Sequence, residues 1–144
     1  MKKDWFQTGF FAHGIFNLSP VECYELCNRG AFIVDVREEN MCSFKMFGVG
    51  NVIYLPFSAL MQKYTELPKD KPLIFADTVG LKSRESVLFM EAQHYNNVAN
   101  MAGGMVDWER DGLPVNTDLS TRLSGSCMCQ LKARETKRNR SKFS

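Results

Sequence analysis

At 144 residues, 44% apolar and 24% charged, the chain is sized for one domain with a real core rather than two, and its composition is that of an ordinary globular protein. No apolar run is long enough to cross a bilayer, and the N-terminus has no apolar stretch ending in a small-residue cleavage site, so neither a membrane span nor a signal peptide is expected. The net charge of +2 is uneven: from Lys132 onward six basic residues and one acid give +5, leaving a body of −3.

Residues 1–14 hold Trp5, Phe6, Phe10 and Phe11 without a clean period, and read as a partly ordered arm whose aromatics dock on the domain or on a second copy. Ile15 to Asn17 reads as a short edge strand. Ser19-Pro20-Val21-Glu22 is a strong helix start, with Ser at the N-cap, Pro at the first turn and Glu completing a capping box. Val21, Tyr24, Leu26 and Cys27 supply its apolar side, and Asn28-Arg-Gly30 ends it. Ala31-Phe-Ile-Val-Asp35 is a continuous apolar run closed by an acid, the pattern of a strand buried on both faces. Glu38 to Phe44 reads as a helical turn and Phe47-Gly-Val-Gly-Asn51 as a glycine-rich loop. Val52 to Leu55 follows as a second buried strand, then a helix from Pro56 to about Tyr64 and a turn at Leu67-Pro-Lys-Asp-Lys-Pro72.

The stretch Pro72 to Arg84 organises the rest. It reads as a strand (Leu73 to Ala76), a tight loop (Asp77 to Lys82), and a helix from about Ser83 to Tyr95 with Val87, Leu88 and Met90 on its apolar face. A strand feeding a loop and a helix start leaves unpaired backbone N–H groups that favour a negative charge at their centre. Val98 to Met101 gives a final strand, and Met105 to Arg110 a short helix between Gly103-Gly104 and Gly112-Leu-Pro114. Alternating strands and helices predict an α/β domain with a mainly parallel sheet, whose functional loops lie at the carboxyl ends of strands. Asp35 and Asp77 both stand at such ends. Residues 116–144 lack a sustained apolar period and read as a polar, basic tail.

The order of these pieces resembles a rhodanese-like (sulfurtransferase) domain over residues 15–115. The resemblance rests on Ile33-Val-Asp-Val-Arg-Glu38, Asn51-Val-Ile-Tyr-Leu-Pro56, Asp77-Thr-Val-Gly-Leu-Lys-Ser83, and Ala102-Gly-Gly-Met-Val-Asp-Trp108 followed by Asp111-Gly-Leu-Pro-Val115. Active members of that family carry a loop Cys-x-x-Gly-x-Arg-Ser, whose cysteine takes up a sulfane sulfur as a persulfide and passes it to a thiol or cyanide. Loop N–H groups and the helix start lower the pKa of such a thiol. The loop Asp77, Thr78, Val79, Gly80, Leu81, Lys82, Ser83 has the sulfurtransferase length and keeps Gly80 and Ser83. The Cys position, however, is Asp77 and the Arg position is Lys82. The family's Gly-His-Ile-Pro-Gly-Ala run is altered to Phe47-Gly-Val-Gly-Asn-Val52. The resemblance implies a degenerate sulfurtransferase site: a carboxylate is a weak nucleophile towards sulfur, and an oxygen–sulfur adduct would hydrolyse.

Asp77 is expected to fill its own anion site. Two other roles are a phosphoryl acceptor, which needs a metal and further carboxylates with Asp35 the obvious second, and a general acid or base, for which no partner is visible. Lys82 is expected to pair with Asp77 in preference to the alternative of reaching solvent. Asp35 and Arg37 are expected to support the strand end and its loop.

Cys23 and Cys27 lie one helical turn apart and read as small core residues, as does Cys42. Five cysteines without framework spacing fit a reducing cytoplasm. Cys127-Met-Cys129, beside Lys132 and Arg134, is a candidate for redox, persulfide or metal chemistry. His13 and His94 have no metal spacing to that pair, and neither a metal nor a cofactor is expected. The tail's single aromatic, Phe143, argues against a platform for single-stranded nucleic acid. Three functions follow: a non-catalytic binding or regulatory domain with an unknown protein partner, a sulfurtransferase or sulfur carrier using Cys127 or Cys129, and a homo-oligomeric module held by the aromatic arm.

Overall fold

Ser19 starts the first helix as its spacing predicts: its hydroxyl accepts from Glu22 N–H, and the Glu22 carboxylate accepts from Ser19 N–H at 2.8 Å. The structure is a computed structural model and describes residues 9–38 and 45–117. The elements in chain order are β1 (Phe10–Ala12), β2 (Ile15–Leu18), α1 (Pro20–Cys27), β3 (Phe32–Asp35), β4 (Met46–Phe47), β5 (Val52–Tyr54), α2 (Phe57–Lys63) running into a 3-10 turn (Tyr64–Glu66), β6 (Leu73–Ala76), α3 (Leu81–Ala92), β7 (Val98–Met101), α4 (Gly104–Arg110) and β8 (Val115–Asn116).

Six strands form one sheet in the order β1-β2-β7-β6-β3-β5. Every neighbouring pair is parallel except β1 and β2. β6 lies at the centre, and alternation along it divides the core. Leu73 and Phe75 face a cluster with Leu60, Val87 and Met90, supplied by α2 and α3. Ile74 and Ala76 face a cluster with Cys23, Leu26, Met105 and Trp108, supplied by α1 and α4. The α/β, mainly parallel architecture flanked by helices is therefore as expected.

Four local readings differ. Phe10–Ala12, expected in the loose arm, is a strand paired with Ile15–Asn17, so β2 is not the edge. β5 is half-buried rather than buried on both faces, because it is the opposite edge of the sheet. Phe47, expected to open a glycine-rich loop, lies instead in β4, where Met46 and Phe47 pair antiparallel with Asn116 and Val115. That ribbon is pinned by Trp108, which is fully buried, donates from Nε1 to Pro114 O at 2.7 Å and meets Phe47 edge-on at 5.2 Å. Gly48 is needed there, since a Cβ would stand 2.8 Å from the Pro114 carbonyl carbon. Finally, Val21 and Leu88 point outward at 43% and 45% exposure. The expected turn from Glu38 to Phe44 lies outside the described residues beyond Glu38.

Candidate functional site

β6 delivers Asp77 to the carboxyl edge of the sheet, where it is 6% exposed. The chain turns through Thr78, Val79 and Gly80 and enters α3 at Leu81. Gly80 sits at φ 100°, a left-handed conformation suited to glycine, and a Cβ there would lie 3.2 Å from Gly103 N. The Asp77 carboxylate then closes the loop on itself. Gly80 N–H donates to Oδ1, and Lys82 N–H donates to Oδ2 at 2.8 Å. Two backbone donors around the helix start are thus satisfied by the side chain at the base of the loop. The helix begins at Leu81 rather than at Ser83: Gly80 takes the N-cap position, and the Asp77 carboxylate, accepting from Lys82 N–H, supplies the capping that a glycine side chain cannot.

The opening turn of α4 seals the other side. Met105 N–H donates to Asp77 O at 2.8 Å and Val106 N–H to Thr78 O at 3.1 Å. Gly104 allows the approach, because a Cβ on it would stand 2.3 Å from Asp77 O. The Gly-Gly motif and the central loop are one construction.

Lys82 does not pair with Asp77 as expected. Its backbone reaches the carboxylate, while its ammonium lies over the Phe57 ring at 4.8 Å. The short lysine arm meets an aromatic face beside the loop, and the cation stays at the rim. Val79, Leu81 and Val106 are also exposed there, giving an apolar border. Ser83 is fully buried; its hydroxyl donates to Asn100 Oδ1 and lies 3.4 Å from Asp77 Oδ1. Asn100 Nδ2 donates to Asn17 Oδ1 at 3.0 Å. Sequence reasoning missed both asparagines. The available signal was an amide inside the otherwise apolar strand Val98-Ala-Asn-Met101.

Asp35 and Arg37 form a buried pair on the neighbouring strand end. Arg37 Nε donates to Asp35 Oδ1 at 3.0 Å and Nη2 to Oδ2 at 2.8 Å. Nη2 also donates to Lys45 O at 2.7 Å, and the guanidinium lies 5.3 Å from the Phe47 ring. The pair ties the end of β3 to the start of β4.

Cys23 and Cys27 are core residues. Burial pushes the Cys27 thiol up to about 12; burial, then Cys27 and Glu22 nearby, push Cys23 well above its usual value. Neither is poised as a nucleophile. Cys42, Cys127, Cys129 and the basic tail lie outside the described residues. Among the described residues no three His, Cys, Asp or Glu side chains gather as for a metal. No described helix is long and apolar enough to cross a membrane.

Comparison with known proteins agrees with this geometry. The family described as "Rhodanese-like domain" matches residues 19–111. The chain is 30% identical over 104 residues to the thiosulfate sulfurtransferase GlpE of Haemophilus influenzae, covering 69% of this chain and 93% of that one. It is 28% identical over 83 residues to a sulfurtransferase of Allochromatium vinosum, covering 58% and 76%. A rhodanese-related protein from Thermoplasma volcanium superposes with a TM-score of 0.64 at 27% identity, covering 71% of this chain and 98% of that one. With the Gly-Gly turn sealed on the central loop and the helix-flanked parallel sheet beneath it, the chain belongs to the rhodanese-like domain family.

Proposed function

We propose that this rhodanese-like domain lacks standard thiosulfate sulfurtransferase turnover and acts as a binding or regulatory module, with the Asp77 loop as part of its recognition face. One observation carries the reading: the loop's Gly80 and Lys82 N–H groups are engaged by the Asp77 carboxylate. Asp77 stands where the family resemblance puts the sulfur-carrying cysteine. A carboxylate there cannot hold a persulfide, and it meets an incoming thiosulfate with the Gly80 and Lys82 N–H groups already engaged and with a like charge. The exposed Val79, Leu81 and Val106 with the Lys82 ammonium offer a protein partner an apolar surface carrying a cation. Five cysteines without framework spacing support a reducing, cytoplasmic setting.

The second reading, a sulfur carrier using Cys127 or Cys129, is favoured by Lys132 and Arg134 nearby in sequence, since neighbouring cations promote thiolate formation. The third, a second copy held through the N-terminal aromatics, is supported by Phe10 and Phe11, 53% and 70% exposed on edge strand β1.

The deciding experiment is a thiosulfate–cyanide sulfur-transfer assay on wild type, Asp77→Cys and the double variant Cys127→Ser/Cys129→Ser. Wild type is expected to be inactive and Asp77→Cys to gain measurable turnover. Activity in wild type that vanishes in the double variant would overturn the proposal in favour of the tail thiols. A dimer mass by light scattering that falls to a monomer on Phe10→Ser/Phe11→Ser would support the third reading.

A further inference from the structure

The Ser83 hydroxyl has one proton and two acceptors within reach, and the far end of its hydrogen-bond chain decides which receives it. Asn17 Nδ2 faces the carbonyl oxygens of Ile15 at 3.1 Å, Ala12 at 3.2 Å and Phe10 at 3.5 Å. Only the amino half of an amide can face carbonyls. This turns Asn17 Oδ1 towards Asn100, which answers with Nδ2 at 3.0 Å. Asn100 Oδ1 is then left facing Ser83, and the short contact takes the hydroxyl proton. Ser83 presents lone pairs to Asp77 Oδ1, 3.4 Å away. Ser83, Asn100 and Asn17 are all buried, so water cannot easily reset the order.

We propose that Asn100, oriented by Asn17, is a positioning residue for the loop: it holds the Ser83 proton away from position 77. An anion at the base of the loop is then held by backbone N–H groups and receives no hydroxyl donor. This rests on the reading of the loop as a cradle filled by Asp77, and extends it. A thiolate placed at the same position would lack the Ser83 proton as well, so Asp77→Cys restores a nucleophile held by backbone N–H groups but without a hydroxyl donor. The chain of amides also ties the base of the loop to the β1–β2 hairpin at the sheet edge.

The test uses the thiol introduced by Asp77→Cys as a reporter in the full chain. Its iodoacetamide alkylation is followed against pH on its own peptide by mass spectrometry, which separates it from the native cysteines. Adding Ser83→Ala is expected to leave the apparent pKa of that thiol unchanged. Adding Asn100→Leu is expected to lower it by about one unit or more, a roughly tenfold gain in thiolate below the pKa, because Ser83 is then free to donate to the anion. Combining Asn100→Leu with Ser83→Ala is expected to abolish that gain. If Asn100→Leu fails to fold, Asn17→Leu/Asn100→Leu removes both amides and leaves neither unpaired; the Ser83→Ala arm also decides the matter alone. A rise in pKa on Ser83→Ala while Asn100 is intact would overturn the proposal, as would no shift on Asn100→Leu. Thiosulfate turnover by wild type would defeat the functional reading and leave the alkylation result standing, so the two failures are distinct.

Discussion

Asp35 and Asp77 end neighbouring strands of the same sheet edge, both buried, yet their charges are met in different ways. Asp35 faces a guanidinium in a two-pronged pair whose side chains are 4% and 0% exposed. Asp77 is met by backbone N–H groups of the loop it begins. A full counter-charge fixes a carboxylate in place and makes it part of the scaffold. Oriented amides carry only partial charges and suit any anion of the right size, so they make a site. In this chain the anion belongs to the protein. The Asp35 end thus holds β3 against β4, and at the Asp77 end the loop N–H groups of Gly80 and Lys82 are engaged by the chain's own carboxylate.

Removing one charge from each end should separate the two roles. Asp35→Asn leaves the Arg37 guanidinium buried against a neutral amide and should cost about 3–5 kcal/mol in urea unfolding; a loss under about 1 kcal/mol would show that the pair is not structural. Gly104→Ala, which forces a Cβ against Asp77 O at φ 58°, should cost about 2 kcal/mol and speed amide exchange across the loop. Unchanged exchange at Met105 and Val106 would show that α4 does not seal the loop. Asp77→Ala should cost about 1–2 kcal/mol, as for a lost helix cap. It should also create a response absent from wild type: added sulfate should raise its melting temperature by occupying the freed N–H groups. An equal response in wild type would show that the carboxylate does not fill the cradle. Lys82→Ala should cost no more than about 1 kcal/mol, since its ammonium–ring contact is at the surface. A larger loss would mean that Lys82 does more for the loop than its backbone N–H does.

Local chemistry was the most legible part of the sequence. The Ser19–Glu22 capping box needs only adjacent residues, and the apolar runs around Ile33 and Ile74 could hardly be anything but buried strands. The base of the loop was legible too, because a carboxylate placed after a strand and before a helix has obvious donors to find. What escaped depended on distant partners. β1 was hidden by two exposed phenylalanines, and the β4–β8 ribbon by its dependence on Trp108 and Pro114. The inward face of α3 was legible at Val87 and Met90, both fully buried, but not at Leu88, because small serines share that face: Ser86 is buried and returns its hydroxyl to Lys82 O at 2.8 Å, while Leu88 is exposed. Lys82 was assigned to the nearest opposite charge, and only the fold brings Phe57 beneath it. The Asn17–Asn100 contact joins residues 83 positions apart, which no local pattern can announce.

The most direct measurement is a crystal structure of the full chain soaked in thiosulfate. The account predicts the Asp77 carboxylate on the Gly80 and Lys82 N–H groups and no thiosulfate within the loop. Thiosulfate bound to those N–H groups, with Asp77 displaced, would contradict it.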